Sequence, residues 1–183
     1  MKKIKQGILT VLAMWMLAVA PLQAQKLNWV DRNQLTWDDF AGPMDQNSDF
    51  AAVTFWLLSY WYGGVDQNGK IENLQVKAQF EQDKSWVRKG KQEDRLLQHE
   101  QLHFDIAELW ARKLRKSLKT QRFPTNNYKP AIEIIFNEHL EGCRAMQKQY
   151  DKESNHYFNK EKQLYWEGYI ADAIAELASY AKD

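Results

Sequence analysis

The sequence predicts an α+β domain in which a small antiparallel β-sheet, built around one hairpin, is followed by three helices. Two observations carry this. Up to about residue 88 the chain is rich in aromatic and β-branched residues, with an Asn-Gly step between two such runs. Beyond it Leu, Ala, Glu, Lys, Arg and Gln dominate, and apolar residues recur every three to four positions.

The first element is not part of that domain. Lys2, Lys3 and Lys5 precede the apolar run Ile8 to Ala20, then Pro21-Leu22-Gln23-Ala24, which is the order of a secretory signal peptide with a small-residue cleavage site after Ala24. Thirteen apolar residues fall short of the roughly 20 that span a bilayer. The expected organisation is a signal peptide over residues 1–24 and a single domain over residues 25–183, placing the mature chain in the periplasm or outside the cell. Removing the leader leaves 159 residues with 22 basic against 24 acidic groups. A balance that close to zero, with mixed signs, offers no electrostatic footprint for nucleic acid. The only cysteine is Cys143, so no intrachain disulfide can form and stability must come from core packing or a metal.

Leu27 to Phe50 holds turn signals at Gly42-Pro43 and Asn47-Ser48 and no sustained period, so an ordered lead-in with one short strand is expected. The hairpin pairs Ala51 to Val65 with Ile71 to Phe80 across Asp66-Gln67-Asn68-Gly69. The first run is apolar on both faces, which marks it as the covered strand, whereas the second is polar on one face. From about Gln92 to Lys119, Leu96, His99, His103, Ala107, Trp110 and Leu114 follow helical spacing without Gly or Pro. Glu93 and Asp94 at its start and Arg115, Lys116 and Lys119 near its end suit the helix dipole. A second helix is expected from Pro130 to about Gln149, an interruption over Tyr150 to Asn159, and a third helix from Lys160 to Ala181.

The chemistry concentrates on the first helix, in His99-Glu100-Gln101-Leu102-His103. Residues i and i+4 share a helix face, so two imidazoles can hold one Zn²⁺ while Glu100 reaches a water beside it. From 4 His and 12 Glu in 183 positions, composition alone yields such a motif about 0.006 times, which sets coincidence aside. A structural zinc site is normally closed by four protein ligands, often cysteines; the lone Cys143 speaks for a catalytic one. That needs a third ligand. His156, in the break between two helices, is the first candidate, and Glu138 in Asn137-Glu138-His139 the second. Asp105 and Glu108 turn away from the histidine face and are expected to be supporting or surface groups.

The stretch LLQHEQLHFDIAELWARKL, with LTWDDFAGP before it and QYDKESNHYFNKEKQLYW after it, resembles the bacterial family called domain of unknown function 922, exported proteins predicted to be zinc-dependent proteases. The family's third motif reads Tyr-Asp-x-x-Thr-x-His-Gly; Tyr150, Asp151 and His156 match it, Ser154 stands for the Thr and Tyr157 for the Gly. The resemblance implies a minimal zincin-like fold with His99, His103 and His156 on zinc and Glu100 as general base, and a peptide or protein as substrate. Tyr150 or Tyr157 is a candidate donor to an oxyanion, and Asp151 a candidate for orienting a ligand. Aromatic residues at strand period, Trp56, Tyr60, Trp61 and Tyr62, either pack in the core or line a groove beside an edge strand that takes an extended peptide. The readings that compete are a zincin scaffold kept as a non-catalytic binding module of the envelope, and a zinc amidase acting on cell-wall amide bonds.

Overall fold

A computed structural model describes residues 26–183; the expected leader over residues 1–24 lies outside them. Among the described residues the fold is α+β, with three small antiparallel sheets and three α-helices. Its axis is α1 (Asp94–Thr120), 27 residues and so about 40 Å long. The absence of Gly and Pro lets it run uninterrupted, and its apolar positions bury Leu102, Ile106 and Leu109 against the helices and Leu114 and Leu118 toward the sheet. The helix expected over 92–119 is therefore present almost residue for residue.

One side of α1 carries a three-stranded sheet of β3 (Trp56–Trp61), β6 (Gln75–Glu81) and β1 (Lys26–Asn28), with β6 in the middle. The hairpin has the expected pairing, from Trp56 opposite Phe80 to Trp61 opposite Gln75. It continues into a short ladder of β4 (Gly64–Val65) and β5 (Ile71–Glu72) and closes at Asp66–Gly69. There Gly69 takes φ 76°, and the Asp66 carboxylate accepts the N–H groups of Asn68 and Lys70 at 2.9 and 2.8 Å. These bonds hold the Asp66 carboxyl below its ordinary range.

The covered strand is not the one the sequence suggested. β3 is an edge: Leu58 and its neighbours Trp56 and Tyr60 pack inward, while Phe55 and Trp61 stay exposed. β6 lies between two partners and buries Val76, Ala78 and Phe80 because β1 joins its far side. The long apolar run also breaks into pieces. Its first two strand residues, β2 (Ala52–Val53), leave the main sheet and pair with β7 (Trp86–Val87), a ladder the sequence did not foretell.

The lead-in is held by a buried carboxylate. Asp39 accepts from Thr36 N–H at 2.7 Å and Gln82 Nε2 at 2.9 Å and is paired with Arg32. Beyond it, Gly42 lies so close to the chain at 83–84 that a Cβ would come within 2.7 Å of the Lys84 carbonyl carbon. On the other side of α1 lie α2 (Tyr128–Ser154) and α3 (Lys160–Glu176), followed by a 3₁₀ turn at Ala178–Tyr180. The expected interruption over Tyr150 to Asn159 shrinks to the five residues after Ser154, so Tyr150 and Asp151 are helical. Glu108 is not at the surface: it is fully buried with Arg112 at 2.8 Å and Arg115 at 3.5 Å, and Arg115 in turn meets Asp183 at 3.0 Å.

Because the Gly42 contact is with backbone, Gly42→Ala must displace one chain segment from the other. Gly42→Ala is expected to cost about 1–3 kcal/mol, read as a lower urea midpoint at unchanged slope.

Candidate functional site

His99 and His103 project from one face of α1, one turn apart, with ring centroids 4.9 Å apart. They floor a cavity of about 140 Å³. One wall is the segment Phe50–Thr54, leading into and through β2; the other is the end of α2 and its turn, Asp151, His156 and Tyr157. Thr54 fixes the first wall to the floor by donating its hydroxyl to the Glu100 carbonyl at 3.1 Å. Glu100 itself is 3% exposed, lines the cavity, and its Oε2 has no hydrogen-bond partner among the described residues.

The imidazoles are held from behind. Gln147 on α2 takes His103 in a two-point grip: its Oε1 accepts from Nδ1 and its Nε2 donates to the His103 carbonyl at 2.9 Å. Gln163 on α3 places Oε1 3.4 Å from His99 Nδ1 while accepting the Tyr150 hydroxyl at 2.7 Å. Both glutamines are buried. With each Nδ1 engaged, both Nε2 atoms are left to face the cavity. Tyr150 is buried, its ring stacked on His99 at 4.7 Å, and its hydroxyl also reaches the His99 carbonyl at 3.2 Å. Burial pushes the phenol well above its ordinary pKa.

In front, Asp151 Oδ1 lies 3.2 Å from His99 Nε2 and 3.0 Å from His103 Nε2. His156 Nδ1 is 3.6 Å from the same oxygen. His99, Asp151 and His156 bring one ligand atom each to within 4.8 Å of one another. For a tetrahedral ion with bonds of about 2.0–2.1 Å, neighbouring ligand atoms are about 3.3 Å apart, close to the separation of the Asp151 oxygen from each Nε2. The donor chemistry, imidazoles and a carboxylate, suits zinc.

The residues the sequence nominated, His99, Glu100, His103 and His156, thus line one cavity. Glu138 does not: it is exposed on α2, about 20 Å of helix before Asp151. Its neighbour His139 bonds Ser117 at 3.0 Å instead. Tyr150, spent on Gln163 and His99, faces away from the oxyanion role, whereas Tyr157 lines the cavity. Asp105 supports the flank of α1, accepting from Trp29 Nε1 at 2.7 Å and Gln101 at 2.9 Å, and burial raises its pKa to about 6. The sequence reading missed Gln147, Gln163 and the β2 wall. Gln147 was legible once α2 is carried through Asp151, since 147 and 151 then share a face; Gln163 carried no such signal.

Tyr157 replaces a glycine of the motif and still adopts a glycine-like φ of 73°, after Asn155 at 48° and His156 at 49°. Three consecutive left-handed residues without a glycine each cost about 1–2 kcal/mol. That strain folds the chain sharply off α2 and turns His156 and Tyr157 back over the cavity.

Set together, these features define an α+β domain with an HExxH helix under a small cleft that gathers imidazole and carboxylate groups. The chain belongs to the family described as bacterial protein of unknown function (DUF922), whose model matches residues 32–157. No curated protein and no solved structure matched it. The family match reaches the end of the cavity wall, and α3 lies beyond it.

His103 and Asp151 also set a pH dependence. Burial alone would lower the His103 pKa, but the Asp151 carboxylate overrides it and raises it from 6.5 to about 9. Asp151 moves the other way, well below the usual carboxylate range, against its own burial. A raised folded-state pKa gives stability that is complete below 6.5 and lost as pH rises through about 9. In chelator-treated protein, the melting temperature is expected to fall over that interval, and His103→Gln to flatten the fall.

Proposed function

We propose that this chain is a zinc-dependent metallopeptidase that works outside the cytoplasm once its leader is removed. The observation that carries the reading is Glu100: a buried carboxylate, with no hydrogen-bond partner at Oε2 among the described residues, that lines the same cavity as the imidazoles of His99 and His103. A buried, unpaired carboxylate is costly. Beside a bound water it would serve as general base.

His99 and His103 would bind zinc through Nε2. Asp151 and His156 compete for the third position, and the spacing favours Asp151, whose oxygen already lies at ligand distance from both imidazoles. His156, with its side chain 46% exposed, then stands at the cavity mouth. Three protein ligands leave one position open, the arrangement of hydrolytic rather than structural zinc. When bound, the ion supplies a Lewis acid that polarises a carbonyl and acidifies water. Glu100 takes the proton of the attacking water and returns it to the departing nitrogen, so that the C–N bond breaks as water adds to the carbonyl carbon. Tyr157, which lines the cavity, would donate its hydroxyl to the oxyanion. Gln147 and Gln163 fix the imidazoles in the tautomer that presents Nε2.

The mature protein is expected to hold one zinc per chain by metal analysis. Asp151→Ala should lose it and His156→Ala keep it; the opposite result assigns the third position to His156. Glu100→Ala should retain zinc and lose at least about 100-fold in hydrolysis of a peptide library. Zinc binding without Glu100-dependent hydrolysis would leave the binding-module reading. Gln147→Leu should weaken zinc binding roughly 10–100-fold, measured against a competing chelator.

A further inference from the structure

The wall formed by β2 is unusual in that five consecutive residues, Phe50 through Thr54, line the cavity. A strand that shows a face to a cavity lines it with alternate residues. Unbroken lining means that the strand presents its edge.

The register says which groups that edge carries. Arg88 N–H donates to the Ala51 carbonyl at 2.7 Å, and Ala52 pairs opposite Val87. In an antiparallel ladder, hydrogen-bonded and non-bonded pairs alternate. Residues 51 and 53 therefore bond toward β7, and the N–H and C=O of Ala52 and of Thr54 point the other way, into the cavity. None of these four groups has a partner among the described residues, although Ala52 is 6% and Thr54 9% exposed. Buried backbone groups are nearly always paired, so two adjacent unpaired positions on one buried edge mark a place where a strand is missing.

We propose that the missing strand is the substrate: an extended polypeptide segment that adds to β2 by backbone hydrogen bonds to Ala52 and Thr54, its chain laid across the two histidines. The inference rests on the metallopeptidase reading for the chemistry and adds the substrate class. Recognition through backbone groups is indifferent to most side chains and requires the segment to be unfolded, so a folded protein is a substrate only at loops or after local opening. Selectivity falls to what the walls touch. The Phe50 and His156 rings, 5.2 Å apart, close one end of the cleft, and Val53, Leu96 and Tyr157 make its lining apolar. The small volume admits one side chain, and an apolar one is favoured.

The test uses the zinc-loaded Glu100→Gln protein, which can bind without turning over, and peptides chosen from those the wild type cleaves, or from an unbiased library if it cleaves none. Hydrogen exchange by NMR should show the Ala52 and Thr54 amides exchanging fast in the free protein and protected by at least about tenfold with peptide bound. N-methylation of alternate peptide residues, which removes donors without touching the protein, should weaken binding at least about tenfold in one register and little in the other. Replacing the apolar residue beside the scissile bond by Asp should weaken it comparably. Glu100-dependent cleavage by the wild type with no protection at Ala52 and Thr54, or with N-methylation tolerated in both registers, overturns this inference alone. Protection of those amides by a peptide that the wild type never cleaves sinks the metallopeptidase reading and keeps the strand-addition site. No protection by any peptide overturns the inference.

Discussion

The structure is organised around a helix that is buried along most of its length yet carries ionisable side chains into that burial. α1 places His99, Glu100, Glu108, Arg112 and Arg115 in the interior, and each would be costly there without a partner. The surrounding elements are arranged to provide them. Glu108 is flanked by two arginines, one of which also bonds the β6 backbone and Asp183 near the chain's end. The histidines are held by a glutamine from α2, a glutamine from α3 and a carboxylate from α2. Glu108 Oε2 also lacks a hydrogen bond, but its charge is offset by Arg112 and Arg115. Glu100 has no arginine or lysine bonded to it; the positive charge it feels is that of His103, and it lines the cavity.

This constraint explains what could be read from the sequence. Helical period and the HExxH spacing are local properties, so α1 and the two imidazoles on one face were legible, as was the hairpin, whose Asn68-Gly69 turn is a local signal too. Which strand is central depends on β1, three residues 47 positions upstream of β6 in the chain, and apolar content alone does not encode it. The break after the second helix, expected from Tyr150, begins only after Ser154; no Gly or Pro lies between Tyr150 and Asn159 to mark the end of the helix. Tyr150 and Asp151 are in fact the last inward-facing turn of α2, which is why Asp151 reaches the histidines from a rigid element.

The turn at Asn155–Tyr157 makes sense in the same terms. A glycine at 157 would take φ 73° without strain; a tyrosine there costs backbone energy but adds a ring that lines the cleft and stacks on Phe158 at 4.3 Å. The departure from the motif leaves the loop's conformation glycine-like and changes its surface. Strain concentrated at a site wall, held in place by packed neighbours, is where local backbone cost is typically tolerated.

The proton balance of the centre follows from the same contacts. His103 gives Nδ1 to Gln147 and approaches Asp151 through Nε2, so both ring nitrogens act as donors, as only the charged imidazole can. The ion pair with Asp151 thus occupies the positions a cation would take: the proton on Nε2 stands where the metal would sit, between imidazole and carboxylate. Exchange of that proton for zinc would put a dication where the imidazolium proton stands, with the same imidazole and carboxylate to hold it. The fold has already met the cost of gathering these groups, in the buried glutamines and in the packing of Tyr150 against His99, and zinc binding near neutral pH should therefore release a proton from this pair.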